Sequence, residues 1–411
     1  MTGQVALSPA LARVARGDLC AGCGACAALA PGKVTMREQP PGWARPVQGA
    51  ALSAQEDRAI AEVCPGLGQS VAADGRRDDP LWGPFVEMVT GWAGNPALRH
   101  AGASGGTLSA LTAHLLASGE VDAVVTNGPD PDRPTGNRTL VLRPGDDPAV
   151  AAGSRYAPSS PLAGLPALVA SGRRHAFIGK PCDAAALRAM TGRDAAVAAA
   201  FPVILSFFCA GVPSATGARA VLARLGVAEG EVSAFRYRGN GWPGMATARL
   251  SDGTERSMTY AESWGSVLSR HVQHRCKICA DGTGVAADIA CADAWEVDSR
   301  GYPLFEEADG VSLMVARTPL GQRILAEARA SGQLESGPFD LASLTAIQVG
   351  QRDRRRALLA RLAALRLVGR PVPHYRGLRL VDAARQNSLR SSLINFLGTL
   401  RRAILPRRKG L

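Results

Sequence analysis

Three cysteines spaced three residues apart near the start of the chain restrict its possible folds more than any other feature. Cys20, Cys23 and Cys26 form a C-x2-C-x2-C run, with Gly22 and Gly24 between them. Tight glycine turns of this kind aim successive thiolates at one iron–sulfur cubane. A segment built around such a centre needs little hydrophobic core, because metal binding itself supplies folding free energy. The run therefore predicts a small metal-centred module.

The fourth ligand of this centre lies elsewhere. In two-cluster bacterial ferredoxins the run continues with three residues and a Cys-Pro pair that serves the other cluster, but here that pair is Ala30-Pro31. The Cys64-Pro65 pair supplies the missing ligand most simply. We therefore interpret residues 1–75 as a degenerate ferredoxin-like module whose [4Fe–4S] cluster is held by Cys20, Cys23, Cys26 and Cys64. Tetrahedral zinc is the alternative, although zinc ribbons usually pair two C-x2-C knuckles.

The sequence favours a reducing compartment for this chemistry. No uninterrupted apolar run follows basic residues at the N-terminus, so no signal peptide is predicted. No stretch of about 18 apolar residues predicts a membrane-spanning helix. We expect a cytoplasmic protein, in which nine cysteines indicate metal or redox chemistry rather than disulfides.

The net charge of +12 is concentrated in the C-terminal tail. From Arg352 to Leu411 the chain has 16 basic and 2 acidic residues, a balance of +14, so the first 351 residues sum to about −2. The near-neutral body argues against nucleic-acid binding. The tail, residues 346–411, is predicted to be helical. Its simplest interpretation is a solvated extension, and the amphipathic pattern of 389–405 also suits peripheral contact with a membrane or a partner subunit.

Between residues 80 and 345, strand-like apolar runs alternate with helical patterns. Strands are predicted at 85–89, 121–126, 175–178, 203–208, 232–237 and 311–316, and helices at 106–118, 162–171, 182–190, 215–225 and 319–331. This βαβ-like alternation indicates an α/β core.

Four of the remaining cysteines suit a second metal centre in this core. Cys182 opens a predicted helix, whose N-terminus favours a thiolate. Cys209 ends a predicted strand, and Cys276 and Cys279 form a C-x2-C knuckle. Strand ends in an α/β sheet converge on one edge, so these four thiolates could hold a second [4Fe–4S] cluster. Buried inert cysteines are the alternative for the first two, and Cys291 is interpreted as structural.

The rarity of lysine draws attention to two positions. Only four lysines accompany 43 arginines, yet Lys180 and Lys277 both adjoin proposed ligands. A compact ammonium is not interchangeable with a guanidinium. We hypothesise that at least one of the two offsets the charge of a cluster or of a reduced flavin; chance placement is the alternative.

Two glycine-rich stretches are candidates for cofactor binding. Residues 102–107 precede a predicted helix, where backbone N–H groups can cradle phosphate, although a glycine turn that caps a helix explains them equally well. The stretch lacks the G-x-G-x-x-G pattern of a Rossmann site. Residues 238–244, which include Arg238 and Asn240, could approach a planar cofactor or form a wide hairpin loop.

Seven motifs, in order, resemble one known family across roughly residues 15–320. They are ASGG at 103–106, VDAVV at 121–125, GKPC through 188, C-x-GVPS at 209–214, YRG at 237–239, C-x2-C at 276–279, and ADI through Asp293-Ala294-Trp295. The chain resembles the coenzyme F-420 hydrogenase/dehydrogenase beta-subunit family, which includes 7-hydroxymethyl chlorophyll a reductase and a divinyl chlorophyllide reductase. The tail after about residue 350 has no counterpart in this pattern.

The resemblance implies an FAD-binding mixed-sheet core with a [4Fe–4S] cluster beside the flavin. Carried over by motif, the cluster ligands are Cys182, Cys209, Cys276 and Cys279, and the FAD contacts are Ser104, Gly105, Gly106 and Thr107. Lys180, Arg238 and Asn240 complete the predicted cofactor contacts.

We therefore expect an electron relay from a ferredoxin-like carrier through two [4Fe–4S] clusters to FAD, and on to a small-molecule substrate or deazaflavin coenzyme. The protein chain supplies geometry and electrostatics for cofactor chemistry of this kind. The beta subunit of a larger coenzyme F-420-dependent complex is an alternative within enzymes. A zinc-stabilised scaffold or nucleic-acid binder is the alternative from another class.

Overall fold

In a computed structural model of the protein, the described residues are 5–294 and 307–405, so the predicted motif residue Trp295 lies outside them. The N-terminal segment combines three helices with a hairpin and a short strand: α1 (Pro9–Gly17), α2 (Ala25–Leu29), β1 (Val34–Gln39), β2 (Trp43–Gln48), α3 (Ala54–Val63) and β3 (Gly68–Ser70). A capping box between Ser53 and Glu56 starts α3.

The middle of the chain alternates strands and helices. Its first part contains β4 (Arg77–Asp79), β5 (Gly83–Phe85), β6 (Glu87–Ala93), α4 (Pro96–Ala101), α5 (Thr107–Ala117), β7 (Ala123–Pro129), β8 (Asn137–Leu142), α6 (Leu165–Ala170), β9 (His175–Gly179), α7 (Pro181–Thr191), α8 (Ala195–Ala200) and β10 (Val203–Phe207). Its second part contains α9 (Ala215–Leu225), β11 (Val232–Arg236), β12 (Met245–Leu250), β13 (Glu255–Thr259), α10 (His274–Lys277), β14 (Ile289–Asp293), β15 (Ser312–Ala316), α11 (Pro319–Ala330) and β16 (Leu334–Pro338).

The C-terminal segment is mainly helical. Its elements are α12 (Leu341–Ile347), α13 (Val349–Leu367), β17 (His374–Arg376), α14 (Leu380–Arg385) and α15 (Leu389–Ile404). Within the described residues, every helix is too short or too polar to cross a bilayer.

An eight-stranded mixed sheet in the order β16-β6-β15-β14-β10-β9-β7-β8 organises the core. Strands β14, β10, β9 and β7 are mutually parallel, and antiparallel strands complete both sides. The α/β prediction is confirmed. Because β6 is antiparallel to β15, which is antiparallel to β14, β6 runs in the direction of the parallel strands. The carboxyl ends of five strands therefore meet at one edge.

Successive side chains of a strand point to opposite faces of the sheet. The sheet therefore has a hydrophobic core on each face. In β9, Ala176 and Ile178 join the core that contains α5 and α11. Phe177 points the other way and packs with α7 and α8. A separate three-stranded sheet, β11-β12-β13, packs against α9.

The N-terminal and C-terminal segments share one hydrophobic core. Leu11, Val14 and Leu19 pack with Leu358 and Leu362 of α13. Strand β17 also pairs in parallel with β3. The expectation of a solvated tail is therefore wrong for residues 349–378, because α13 buries its apolar side chains against the N-terminal module. The division of the chain into three domains stays a prediction.

The predicted core elements appear close to their expected positions. The predicted strands correspond to β6, β7, β9, β10, β11 and β15, and the predicted helices to α5, α6, α7, α9 and α11. The strand predicted at 85–89 spans the boundary between two strands, because β5 ends at Phe85 and β6 begins at Glu87.

Candidate functional site

In the first cysteine group, Cys20 and Cys23 lie in the loop between α1 and α2, Cys26 lies in α2, and Cys64 follows the last residue of α3. Burial raises the pKa of the Cys23 thiol well above its usual value, and the nearby Cys64 and Cys26 thiols raise it further. Burial likewise raises the pKa of Cys64 to about 11, with Cys20 adding to the effect. The structure therefore brings together the four cysteines that the sequence predicts as ligands.

The loop that carries the first group is a close-packed glycine turn. Gly22 and Gly24 have φ values of +84° and +89°, a region that side chains rarely adopt. A Cβ atom on Gly24 would lie 2.7 Å from the backbone nitrogen of Ala163. The N–H of Gly22 donates to the Cys20 sulfur at 3.3 Å, a contact that would stabilise a thiolate.

The second cysteine group lies at the carboxyl edge of the sheet. Cys182 is in the first turn of α7 after β9, Cys209 follows β10, and Cys276 and Cys279 flank the end of α10. Burial raises the pKa of Cys209 to about 12, and the Cys276 and Cys279 thiols contribute. Burial also raises the pKa of Cys182, to which Cys209 and Cys276 add. The structure therefore brings these four cysteines together too.

Arg45 of the N-terminal module reaches the surroundings of the second group. The Val212 N–H and the Gln273 side-chain amide both donate to the Cys276 sulfur at 3.4 Å. The Gln273 amide oxygen accepts a hydrogen bond of 3.1 Å from Arg45. Arg45 also lowers the pKa of Cys20, against the larger effect of burial. A polar chain therefore links the surroundings of the two groups.

Arg275 lies between the two cysteine groups. Its side chain is 3% exposed, and its Nη2 donates to the carbonyl of Pro65 at 2.7 Å. Among the described residues, its Nε and Nη1 have no hydrogen-bond partner. The Arg275 charge interacts with thiols of both groups, namely Cys20, Cys64, Cys182, Cys276 and Cys279. A buried guanidinium with two unused donors fits a place beside anionic centres.

The two conspicuous lysines have different surroundings. The Lys180 ammonium is 2.7 Å from Asp183 and donates to the Ser159 hydroxyl at 2.8 Å. Burial raises the pKa of the Cys182 thiol, Asp183 raises it further, and Lys180 acts in the opposite direction. The side chain of Lys277 is exposed. Because Asp183 balances the Lys180 charge, the hypothesis of a charge-compensating lysine stays a prediction.

Helix α13 covers the second cysteine group from the C-terminal segment. Gln351 and Arg354 donate to the carbonyl of Cys209 at 3.0 and 2.8 Å. Arg361 donates to the carbonyl of Lys277 at 2.9 Å. These contacts give the Arg-rich tail a structural part in enclosing the site.

Both cysteine groups offer only sulfur donors. In the described part of the chain, no three Cys, His, Asp or Glu side chains are placed to hold one metal ion. An all-sulfur donor set suits tetrahedral zinc as well as an iron–sulfur cluster. The ligand assignments themselves stay predictions.

The first glycine-rich loop is held by internal hydrogen bonds. The Ser104 hydroxyl donates to the Val311 carbonyl at 2.8 Å, and the Gly105 N–H donates to the Ser312 hydroxyl at 3.0 Å. Gly106 has a φ of +70° where α5 begins, and Thr107 is 2% exposed. A glycine turn that caps α5 accounts for these contacts. Its role in FAD binding stays a prediction.

The second glycine-rich loop lies beside the first. The Gly241 N–H donates to the His100 carbonyl, just before the first loop, at 3.1 Å. Asn240 is exposed with a φ of +55°. Arg238 is 2% exposed and pairs with both carboxylate oxygens of Asp293, at 2.7 and 2.8 Å. The structure therefore brings the two predicted loops together, and it assigns Arg238 an internal ion pair.

We expect Arg238→Met to lower the free energy of unfolding by about 3–5 kcal/mol, because it leaves the Asp293 carboxylate without its bidentate partner in a largely buried place. Urea denaturation followed by circular dichroism measures the effect. Arg249→Met, at an exposed position of β12, is the matched control and should stay within about 0.5 kcal/mol of the wild type. Equal stabilities of the two variants would contradict the structural importance of the pair.

A cavity of about 250 Å³ opens between the second loop, the end of β6 and residues 308–310. Its walls include Trp92, Arg99, His100, Trp242 and Glu335. The Arg99 guanidinium stacks over the Trp92 ring at 4.8 Å. The Trp242 indole N–H donates to Asp293 at 3.3 Å, which places the cavity beside the carboxyl end of β14.

Sequence reasoning missed several residues of this region. Arg275 and Gln273 directly precede the Cys276 knuckle, so a basic or amide residue next to a cysteine pair was the available signal. No local sequence motif indicated Trp92 or Arg99. Arg45 lies in the N-terminal module, and only the tertiary fold brings it to Gln273.

Comparisons with known proteins agree with the resemblance seen in the sequence. Residues 88–165 match the N-terminal profile, and residues 172–341 the C-terminal profile, of the coenzyme F420 hydrogenase/dehydrogenase beta subunit. Together the two matches span more than half of the chain. No curated protein matches the chain in sequence. A chain from the F420-reducing [NiFe] hydrogenase complex of Methanosarcina barkeri, in a xenon-derivatised structure, is similar in fold. Its TM-score is 0.52 at 22% identity, over 69% of this chain and 96% of that chain.

Proposed function

The chain belongs to the coenzyme F420 hydrogenase/dehydrogenase beta-subunit family, a family of oxidoreductase subunits, and from this premise we propose that it is an iron–sulfur flavoprotein. When bound, two [4Fe–4S] clusters would carry single electrons, and FAD would exchange two electrons with a small-molecule substrate or deazaflavin coenzyme. The proposed electron donor or acceptor is a ferredoxin-like protein.

The observation that carries this proposal is the pair of four-cysteine groups on either side of buried Arg275. Cys20, Cys23, Cys26 and Cys64 would hold the first cluster. The second would be held by Cys182, Cys209, Cys276 and Cys279. Because the Arg275 charge acts on thiols of both groups, the two centres would lie close to one shared cation.

Groups beside the cysteines offset part of the effect of burial. The N–H groups of Gly22 and Val212 donate to sulfur atoms, and Gln273 adds a side-chain donor. Arg275 supplies positive charge within the buried site. Burial raises the pKa of the Cys20 and Cys276 thiols, and these donors and this cation act in the opposite direction without cancelling it.

The adjacent glycine-rich loops, and the cavity that the second of them lines, support flavin binding. Ser104, Gly105, Gly106 and Thr107 would contact FAD, together with Lys180, Arg238 and Asn240. The cavity of about 250 Å³ is smaller than the roughly 300–1,000 Å³ typical of ligand pockets. It would therefore hold only part of the cofactor.

Anaerobically purified protein tests this proposal directly. We expect a brown protein with about eight iron atoms, matching acid-labile sulfide and one FAD per chain. Its visible spectrum should bleach when a reduced ferredoxin is added. A colourless protein that contains zinc, and takes up neither clusters nor FAD on reconstitution, would overturn the proposal in favour of a zinc-stabilised scaffold.

A second candidate is the beta subunit of a larger coenzyme F420-dependent complex. The fold match extends over 96% of a chain from such an assembly, which favours this possibility. The two candidates differ in what the isolated chain can do. Reduction of coenzyme F420 that requires a co-purified partner subunit would support the second, whereas turnover by the isolated chain with a ferredoxin would support the first.

A further inference from the structure

Helix α15 presents an apolar face to solvent. Leu389, Leu393, Leu397 and Ile404 are 90%, 57%, 52% and 63% exposed. Their spacing of four, four and seven residues places them on one side of the helix. At 1.5 Å per residue, the face is about 22 Å long. Exposed aliphatic side chains in a continuous row mark an interaction site more strongly than scattered ones do.

The opposite side of α15 fixes the helix to the protein body. Asn395 accepts hydrogen bonds from Arg361 of α13 at 3.0 and 2.9 Å. Thr399 is 6% exposed, and Ala403 packs against the core shared by the N-terminal and C-terminal segments. These contacts hold α15 in an orientation that leaves its apolar face exposed to solvent.

Positive charge borders the apolar face. Arg390 and Arg401 are exposed and, by their spacing, lie on the flank next to the leucines. No acidic residue follows Asp382 in the sequence. An amphipathic helix with an aliphatic face and arginine flanks has the composition of helices that lie in the interfacial plane of a bilayer.

We propose that α15 docks the protein onto an anionic lipid surface, with its leucines inserted among the acyl chains and its arginines at the lipid phosphates. The charge pattern favours an anionic lipid surface over a second copy of the chain. A second copy that docked through its own α15 would bring the same arginines to the contact without any acidic partner from that helix, whereas anionic lipids supply the complementary charge. The helix lies on the membrane and does not cross it.

Vesicle sedimentation with the full-length protein tests the proposal. We expect binding to vesicles of phosphatidylglycerol and phosphatidylcholine, and much weaker binding to pure phosphatidylcholine. Leu393→Glu/Leu397→Glu should reduce binding at least about tenfold, because two aliphatic side chains that would be buried in the bilayer are replaced. Val150→Glu, at a 49% exposed valine outside the C-terminal segment, is the matched control and should bind as the wild type does.

The arginines are tested by a gentler substitution. Arg390→Gln/Arg401→Gln should weaken binding to the anionic vesicles by about 25-fold, since each of the two cations near the surface contributes about a fivefold factor. Binding that is equal for both lipid compositions, or absent from both, overturns the proposal. A wild-type dimer that ignores vesicles and becomes a monomer in Leu393→Glu/Leu397→Glu overturns it too, and identifies a second copy as the occupant.

Discussion

Replacing Cys209 by alanine is expected to lower the iron content of the protein from about eight atoms to about four. Cys209 follows β10 at the carboxyl edge of the sheet, and its thiol lies close enough to Cys276 and Cys279 for each to affect its pKa. Removing one of four ligands should abolish the second cluster. The first group should keep its iron, because none of its four cysteines is altered.

Matched variants separate ligand loss from general damage. Cys64→Ala should also remove about four irons, but from the first group. Cys291→Ala is the control, because that thiol is buried in β14 among core residues, and burial raises its pKa to about 12. It should retain about eight irons. Iron, sulfide and FAD are measured on anaerobic samples, with thermal unfolding to establish that each variant is folded.

The result can also contradict the assignment. If Cys209→Ala keeps about eight irons and Cys291→Ala loses half of them, the second group is wrong in its membership. If every variant has the iron content of an already iron-poor wild type, the cluster proposal itself fails. These two outcomes are distinguishable, because only the first occurs in a brown wild-type protein.

The α/β core was predictable because its elements carry local signals. Strands β7, β9 and β10 are short apolar runs bounded by glycine or proline, and α5 and α9 begin and end near the expected residues. Buried parallel strands read as continuous apolar runs, and such runs are what the sequence displays. The carboxyl-edge rule then correctly placed Cys182 and Cys209 side by side.

The association of the two chain ends was not predictable from local pattern. Helix α13 is rich in arginine, so its composition indicated a solvated helix. Three of those arginines instead donate to backbone carbonyls, as Arg354 does at Cys209, Arg361 at Lys277 and Arg355 at Ala280. Guanidinium groups can satisfy several carbonyl acceptors at once. Whether an arginine faces water or carbonyls depends on tertiary packing.

Arg275 illustrates the same limit at the site. Its sequence position beside Cys276 was visible, but its contact with Pro65 joins segments about 210 residues apart. Its significance comes from two buried N–H groups that lack a partner among the described residues. An unsatisfied buried donor is costly unless another group occupies the site. Such a donor is recognisable only once the fold has removed it from water.

We expect Arg275→Met to lower the reduction potentials of both proposed clusters. A reduced cluster carries one more negative charge than its oxidised form, so a nearby cation stabilises the reduced form. At a separation of about 8 Å and an effective dielectric constant of about 20, one charge contributes roughly 2 kcal/mol. Since a one-electron couple shifts by about 59 mV per tenfold change in equilibrium constant, a fall of roughly 50–100 mV is expected.

Electron paramagnetic resonance during an anaerobic redox titration measures both potentials without any assay of turnover. Arg275→Lys retains the charge and should keep the potentials nearer to those of the wild type. Arg385→Met removes an exposed arginine and should leave them unchanged. A lower reduction potential in only one cluster would mean that Arg275 affects that cluster alone. Unchanged potentials in a folded Arg275→Met protein with about eight irons would remove this arginine from the relay, while the cluster assignment itself would stand.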